Sequence, residues 1–407
     1  MKLHSTDLYQ YAKSPSKLAI LVCAGLILFT IVSIHYPLLG YPLQLMKSLR
    51  STGKCDIFSG EWVRDSNAPY YTNKSCSAIH KHQNCMKYGR PDLDFMKWRW
   101  KPDECELPIF NSTQFMEIVR GKSLAFVGDS MGRNQMQSLI CLLSKVEKPV
   151  DVSYSSEIQS TRWKYTNHNF TIENFWSPFL VKTRLDDPEV PIHERLFHVY
   201  LDEFDESWTT KMQEFDYIVL SGDHWFGAPM IYYEKRRVVG CHFCHKKNVK
   251  EIPMFYGYKK AFQTAFRAIN SLTEFKGITF LRTFSPQHFE NGTWNDGGDC
   301  VRRTPIMSRE ARLEGYSLKL YRIQREEFRV AKRKKSIKFR LLDTTGSMLM
   351  RPDGHPSKYG HWPGEKVFQY NDCAHWCLPG PIDTWNAFLL EFLKTEFLST
   401  NNSSVCS

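Results

Sequence analysis

The segment Leu124-Ala-Phe-Val-Gly-Asp-Ser130 is a short apolar run that stops on a serine. It passes directly into Met131 to Leu143, whose apolar residues recur at helical spacing. Three later runs repeat the strand signal: Tyr217 to Leu220, Ile278 to Leu281 and Phe339 to Leu342. Helical stretches lie between or after them, about Tyr258 to Leu272, about Arg309 to Lys332, and Ile382 to Leu398. Strands alternating with helices restrict the chain to an α/β architecture, a mainly parallel sheet sandwiched by helices. In such sheets, sites form at the C-terminal ends of strands. Ser130 holds that position, as do Gly222-Asp-His-Trp225, Arg282-Thr-Phe-Ser-Pro-Gln-His288 and Asp343-Thr-Thr345.

The N-terminal region fixes the expected compartment. Leu18 to Ile34 is uncharged and mostly apolar, preceded by Lys2, Lys13 and Lys17. It is at the short end of what spans a bilayer, and the positive-inside rule puts the N-terminus in the cytosol. A cleaved signal peptide is the competing reading, but the run is long for an h-region and no small-x-small site follows it. The expected organisation is a cytosolic tail (1–17), a transmembrane signal anchor (18–37) and a stem (38–54). A cysteine-rich segment (55–122), a catalytic α/β unit (123–399) and a tail (400–407) follow. The segment 55–122 has little periodicity, so it reads as a stapled lobe packed on the catalytic unit rather than an independent domain.

Two further signals agree with a lumenal catalytic unit. Asn73, Asn111, Asn169, Asn291, Asn401 and Asn402 head Asn-x-Ser/Thr sequons beyond the apolar run, and these are glycosylated only in the secretory lumen. Of 12 cysteines, only Cys23 lies in the run. The remaining ones read as a disulfide framework of Cys55, Cys76, Cys85, Cys105, Cys141, Cys241, Cys244, Cys300, Cys373 and Cys377, with Cys406 left over. Cys241-His-Phe-Cys244-His245 invites a zinc reading, but the spacing is not that of a finger, and disulfides are favoured, so no metal is expected. Cys373 and Cys377 flank His375, and at least one of them is expected to bridge to the cysteine-rich segment.

The net charge of +11 gathers in Arg329 to Arg340. It reads as a solvated helix end in preference to a patch for acidic polymers, and a nucleic-acid partner is excluded behind a membrane anchor.

At a strand-to-helix turn the Ser130 hydroxyl can project above the sheet, and the unpaired amides of the helix N-terminus can hold an oxyanion. Gly128 permits close packing and Gly132 lets the backbone approach a ligand. Asp372-Cys-Ala-His375 places an acid three residues before a histidine, where Asp372 can hold Nδ1–H and leave Nε2 for Ser130. Serine, base and orienting acid form the minimum kit for acyl transfer through a serine ester. Trp225, Trp376 and Trp385 are candidates for stacking on sugar rings, with core packing as the plainer alternative for each.

Longer blocks surround these residues: Cys55, Phe58-Ser-Gly-Glu-Trp62, Trp98-Arg-Trp100, Gly128-Asp-Ser-Met-Gly-Arg-Asn-Gln135, Arg282 to Phe289 and Asp372-Cys-Ala-His-Trp-Cys-Leu-Pro-Gly380. From Cys55 to about Leu398 the chain resembles the plant trichome-birefringence-like family of polysaccharide O-acetyltransferases, Golgi relatives of the Gly-Asp-Ser (SGNH) esterases. The resemblance implies an SGNH-like fold with Ser130 as nucleophile, His375 as base and Asp372 as its orienter. It also implies a type II Golgi membrane protein with a lumenal catalytic domain. The wider superfamily offers an Asn as a further oxyanion donor, and here the corresponding strand end reads Ser221-Gly-Asp-His-Trp225. Gly222, His224 or the Arg133-Asn134 pair are the alternatives, with His288 a further substrate candidate and Arg133 equally able to grip the donor or form an ion pair. Gly222 to Gly227 and Val239 to Cys244 look most like members that acetylate xyloglucan galactose, with xylan, mannan and pectin as other acceptors. The implied donor is acetyl-CoA or a relay from it, with no bound cofactor and no CoA fingerprint. Acetyl-ester hydrolysis and simple polymer binding are the competing functions.

Overall fold

The computed structural model describes residues 41–42, 55–153, 160–186, 195–334, 337–367 and 370–405. The anchor over 18–37, Cys23, Cys406 and nearly all of the stem lie outside these. Among the described residues no helix is long and apolar enough to cross a membrane.

β1 (Gly60–Arg64) and β2 (Trp98–Pro102) form an antiparallel ribbon. α1 (Ser112–Ile118), β3 (Ser123–Gly128) and α2 (Ser130–Leu143) follow. β4 (Val150–Asp151), β5 (Arg162–Tyr165) and β6 (Phe170–Trp176) come next. After β7 (Val181–Leu185) and β8 (Phe197–Phe204) the chain forms β9 (Tyr217–Leu220), β10 (Met230–Glu234) and β11 (Arg237–His242). α3 (Met254–Asn270), β12 (Ile278–Arg282), α4 (Gly315–Lys332), β13 (Lys338–Leu342), α5 (Thr345–Leu349) and α6 (Asp383–Val405) complete it.

The main sheet runs β13-β12-β9-β3-β6-β5-β4. The five strands from β13 to β6 are parallel, and β5 and β4 add an antiparallel edge. Alternation along the central strands sorts their side chains between two cores. Ala125, Val127, Ile218 and Leu220 pack with α3 and α4 residues such as Tyr258, Phe262, Leu320 and Phe328. Leu124, Phe126 and Val219 pack on the opposite face with Phe115, Met136, Leu139 and Leu389 of α1, α2 and α6.

A second sheet, β11-β10-β8-β7, is built from residues between β6 and α3. The sequence reading did not foresee it, because its strands are half-buried and carry charges such as Glu203, Glu234 and Arg237 among their apolar residues. The helix expected from about Arg309 starts at Gly315, and α6 runs on to Val405 where a tail was expected from residue 400.

The cysteine-rich segment shares one core with the catalytic unit. Trp62, Tyr71 and Trp100 pack with Met131, Leu142, Trp376, Trp385 and Phe388. Trp62 Nε1 donates to the Ser347 carbonyl at 2.8 Å. Two disulfides tie this segment across, Cys76–Cys141 into α2 and Cys85–Cys377 into the loop after His375. The others are Cys55–Cys105, Cys241–Cys244 and Cys300–Cys373. The Cys241–Cys244 bond answers the zinc alternative, since sulfur held in a disulfide is not a thiolate ligand. In the basic stretch, Arg340 bonds Glu396 and Lys338 lies 3.7 Å from it, which fits a solvated helix end and its neighbours.

Asn111, Asn169 and Asn291 are exposed and Asn73 is partly so. Asn401 and Asn402 fall on the last turns of α6. The Asn111 side chain also caps α1, accepting from the Gln114 amide at 2.9 Å.

Candidate active site

β3 ends at Gly128 because the next strand end crosses close beneath it. A Cβ there would lie 2.2 Å from the Ser221 carbonyl oxygen, and φ is +151°. Asp129 then caps α2, its Oδ1 accepting from the Met131 amide at 3.0 Å and its Oδ2 from the Asp223 amide at 2.8 Å. Burial first, then the neighbouring Asp223, pushes the Asp129 carboxyl up to about 6. Asp223 is itself occupied by a fully buried pair with Arg282, Arg282 NH1 to Oδ1 at 3.0 Å, and by the Ser285 amide at 2.8 Å. One carboxylate thus fixes the turn that carries Ser130, and a second ties that turn to β12.

The other half of the site is a loop. Ser357 and Asp372 exchange main-chain hydrogen bonds of 2.8 and 3.0 Å. Asp372 Oδ1 accepts from the Ala374 and His375 amides at 3.1 and 3.0 Å, which folds the Asp-x-x-His turn on its own carboxylate. Asp372 Oδ2 lies 2.8 Å from His375 Nδ1, and His375 Nε2 lies 2.6 Å from Ser130 Oγ. Residues 245 apart in sequence therefore form one hydrogen-bonded line.

Burial alone would raise the Asp372 carboxyl. The adjacent His375 and the two amides overcome it and hold the group well below the usual carboxylate range. Burial would likewise depress His375, but the Asp372 charge and hydrogen bond prevail and raise it.

The flank of Ser130 is cationic and aromatic. Trp176, in register with Gly128 at the end of β6, lies under the Arg133 guanidinium at 5.5 Å. Trp225 meets Trp176 edge-on at 5.4 Å. From the cysteine-rich segment come His80 and His82, ring centroids 5.2 Å apart. Burial, then the charge of Arg133, pushes His80 down to about 4.

Several sequence candidates have other occupations. Asn134 Oδ1 accepts from the Trp376 amide at 2.9 Å and its Nδ2 donates to the Trp376 carbonyl at 3.3 Å, so the buried side chain clamps the His375 loop. Gly222 turns its Cα toward Phe262 and Leu180, and its carbonyl accepts from Tyr258 and Gln324. Both ring nitrogens of His224 are shut off from solvent, its ring packed on Phe284. Trp376 and Trp385 are fully buried, Trp376 stacked on His355 at 4.1 Å. His288 Nε2 sits 3.1 Å from the Leu349 carbonyl and Nδ1 2.7 Å from His355 Nε2. His355 Nδ1 in turn reaches the His375 carbonyl at 2.7 Å, so His288 supports the loop from behind rather than meeting substrate. Gly132 is closely packed, since a Cβ would stand 3.1 Å from Ser221 Oγ.

Sequence reasoning missed Trp176, His80, His82 and His355. Trp176 ends β6, a strand the sequence reading did not name, because Glu173 and Asn174 interrupt its apolar residues. The three histidines lie in aperiodic loops, where no local pattern marks them.

Residues 107–392 match the family model described as a GDSL/SGNH-like acyl-esterase family found in Pmr5 and Cas1p, PC-Esterase. Residues 53–106 match the PMR5 N terminal Domain. Protein trichome birefringence-like 19 of Arabidopsis thaliana is 52% identical, over 93% of this chain and 94% of that one. Xyloglucan O-acetyltransferase 4 of Populus trichocarpa is 44% identical, over 86% and 84%. Xyloglucan O-acetyltransferase 2 of Arabidopsis thaliana is 41% identical, over 84% and 83%.

Proposed function

The chain belongs to the PC-Esterase family, and from that premise we propose that it is a polysaccharide O-acetyltransferase working through an acetyl-serine intermediate. The observation that carries the chemistry is the Ser130–His375–Asp372 line with its contacts of 2.6 and 2.8 Å. The acceptor is xyloglucan, on galactosyl side chains, a reading supported by the relatives at 40–52% identity, several of them named xyloglucan O-acetyltransferases.

Ser130 Oγ attacks the acetyl carbonyl of the donor while His375 Nε2 takes the hydroxyl proton. Collapse of the tetrahedral intermediate breaks the bond to the donor's leaving group, which receives that proton from His375. The acceptor hydroxyl then attacks the acetyl-Ser130 ester, His375 takes its proton, and the serine leaves with the proton returned. Asp372 stays ionised throughout, holding the imidazole tautomer and steadying the imidazolium. The donor is acetyl-CoA, or an acetyl relay charged from it.

The enzyme resides in the Golgi membrane as a single-pass type II protein with its catalytic unit in the lumen. The uncharged run at 18–34, the sequons and the five disulfides among the described residues support this placement.

Intact-protein mass spectrometry tests the reading. The full chain is incubated with acetyl-CoA or an activated acetyl ester and then with xyloglucan, xylan, glucomannan and pectin in turn. A gain of one acetyl group on Ser130, discharged fastest onto xyloglucan, is expected. Discharge to water at the same rate with every polymer would make the chain an esterase instead.

A further inference from the structure

Arg133 follows the nucleophile on the same helix, and among the described residues no hydrogen bond or ion pair claims its side chain. It stands three residues after Ser130 on α2, a spacing that places side chains on one helical face with Cβ atoms about 5–6 Å apart. Its guanidinium is half-buried over Trp176, and among the described residues no carboxylate comes within ion-pair distance of it. Burial lowers the group's pKa and only the field of Asp129 opposes it. A guanidinium nonetheless stays protonated in proteins, so the fold holds a partly desolvated charge without a counterion. That charge faces His375, whose proton affinity it reduces, and His80, which is neutral beside it.

The chemistry needs such a group. Each tetrahedral intermediate puts a full negative charge on the former carbonyl oxygen beside Ser130. The amides of Ser130 and Gly132 take no protein acceptor among the described residues, so the main chain offers two donors. Among side chains, Asn134 is buried against Trp376 and both His224 nitrogens are shut off from solvent, which leaves the Arg133 guanidinium.

We propose that Arg133 is a catalytic residue that donates a charge-assisted hydrogen bond to the anionic oxygen of both tetrahedral intermediates, completing the oxyanion hole with the Ser130 and Gly132 amides. The inference rests on the acetyl-serine reading. Trp176 acts as the platform that keeps the guanidinium in place when no oxyanion is present, through the negative face of its indole. Loading and discharge pass through the same oxygen position, so both half-reactions depend on Arg133.

The same cation would also suit a negatively charged donor, and the experiment separates the two uses. Ser130 acetylation is followed in the full-length enzyme with p-nitrophenyl acetate, an uncharged donor, by the nitrophenol burst and by intact mass. Acetyl-CoA is run in parallel. Arg133→Met is expected to slow loading about 10²–10³-fold with either donor, mainly in the rate constant and little in KM. Discharge to xyloglucan should slow by a similar factor, with the thermal midpoint unchanged. Arg133→Lys should recover part of the rate, and millimolar guanidinium should rescue Arg133→Ala. Wild-type loading of Arg133→Met by p-nitrophenyl acetate overturns the proposal. A defect confined to acetyl-CoA also overturns it, by showing that Arg133 reads the donor's charge. A wild-type enzyme that never carries acetyl on Ser130 removes the functional reading itself, and the inference with it.

Discussion

The two halves of the site are held by different physics. Ser130 sits on a turn defined by the main sheet: β3 pairs with β6 over its whole length and with β9 from Leu124 to Val127, Gly128 admits the close approach of Ser221, and Asp129 caps the helix. His375 sits on a loop between two cross-links, Cys300–Cys373 on one side and Cys85–Cys377 on the other. The loop borrows its rigidity from elsewhere: from Ser357, from Asn134 of α2, and from the His288–His355 pair behind it. A nucleophile on a sheet edge is placed by local rules, whereas a base on a loop must be fixed by contacts distant in sequence.

The largest effects should come from the line that joins the halves. Ser130→Ala should abolish acetyl loading with the fold intact, as judged by circular dichroism. Asp372→Asn should lower the rate by about 10⁴, because the amide no longer enforces the tautomer that leaves Nε2 free. The pH profile gives the same test without mutation. His375 must be neutral to act as base, and its proton affinity is raised by Asp372. The loading rate should therefore rise with pH and level off only above the ordinary histidine value, about 6.5. Removing Asp372's charge should shift that limb to lower pH, and an unshifted limb in Asp372→Asn would contradict the pairing.

Next in size is the cross-link itself. Cys85→Ser with Cys377→Ser opens a bond between residues 292 apart. A loss of about 2–5 kcal/mol is expected, with a fall in activity as well. Cys241→Ser with Cys244→Ser opens a bond spanning only 3 residues on the second sheet and should leave acetyl loading unchanged. Equal effects of the two pairs on activity would show that the loop half does not depend on its staple. Asn134→Ala leaves the buried Trp376 amide without its acceptor. It should cost about 1–3 kcal/mol in chemical denaturation and lower the rate without changing the pH limb.

The same asymmetry explains what the sequence revealed. The strand-helix block around Ser130 was legible because an apolar run, a glycine and a capping aspartate are all local signals. So was the Asp372–His375 turn, whose spacing is that of a single turn closed by its own carboxylate. The second sheet, with β8 and β10 parallel at its centre, escaped because charges among its apolar residues blur the period-2 signal. Asn134 and His288 were legible as polar residues near strand ends, but not their duties. Whether a buried amide faces substrate or clamps a loop depends on Trp376, which lies 242 residues from Asn134. The bridge from Cys373 or Cys377 to the cysteine-rich segment was inferable because that segment lacks a core of its own, while the partner, Cys85, was not.

The effect expected to touch activity least concerns a junction where the two halves meet the cysteine-rich segment. Asp383, at the start of α6, accepts from Tyr71 at 2.8 Å and Ser138 at 2.5 Å through Oδ1, and from the Gly380 amide at 3.2 Å through Oδ2. Burial pushes its carboxyl up to about 7, against the three hydrogen bonds, which favour the charged form. A carboxyl whose folded value lies above its unfolded value, about 3.9, binds its proton more tightly in the native state. Its contribution is therefore fully present below pH 4, falls as pH rises toward 7, and is constant above that. The slope from this one group cannot exceed about 1.4 kcal/mol per pH unit. Asp383→Asn cannot titrate, and its amide keeps an oxygen for Tyr71 and Ser138 while setting a donor against the Gly380 amide. Subtracting its denaturation midpoints from those of the wild type between pH 4 and 8 should leave a difference that changes up to pH 7 and is flat beyond. A difference that stays flat throughout would mean that the three hydrogen bonds, rather than burial, set the charge of Asp383.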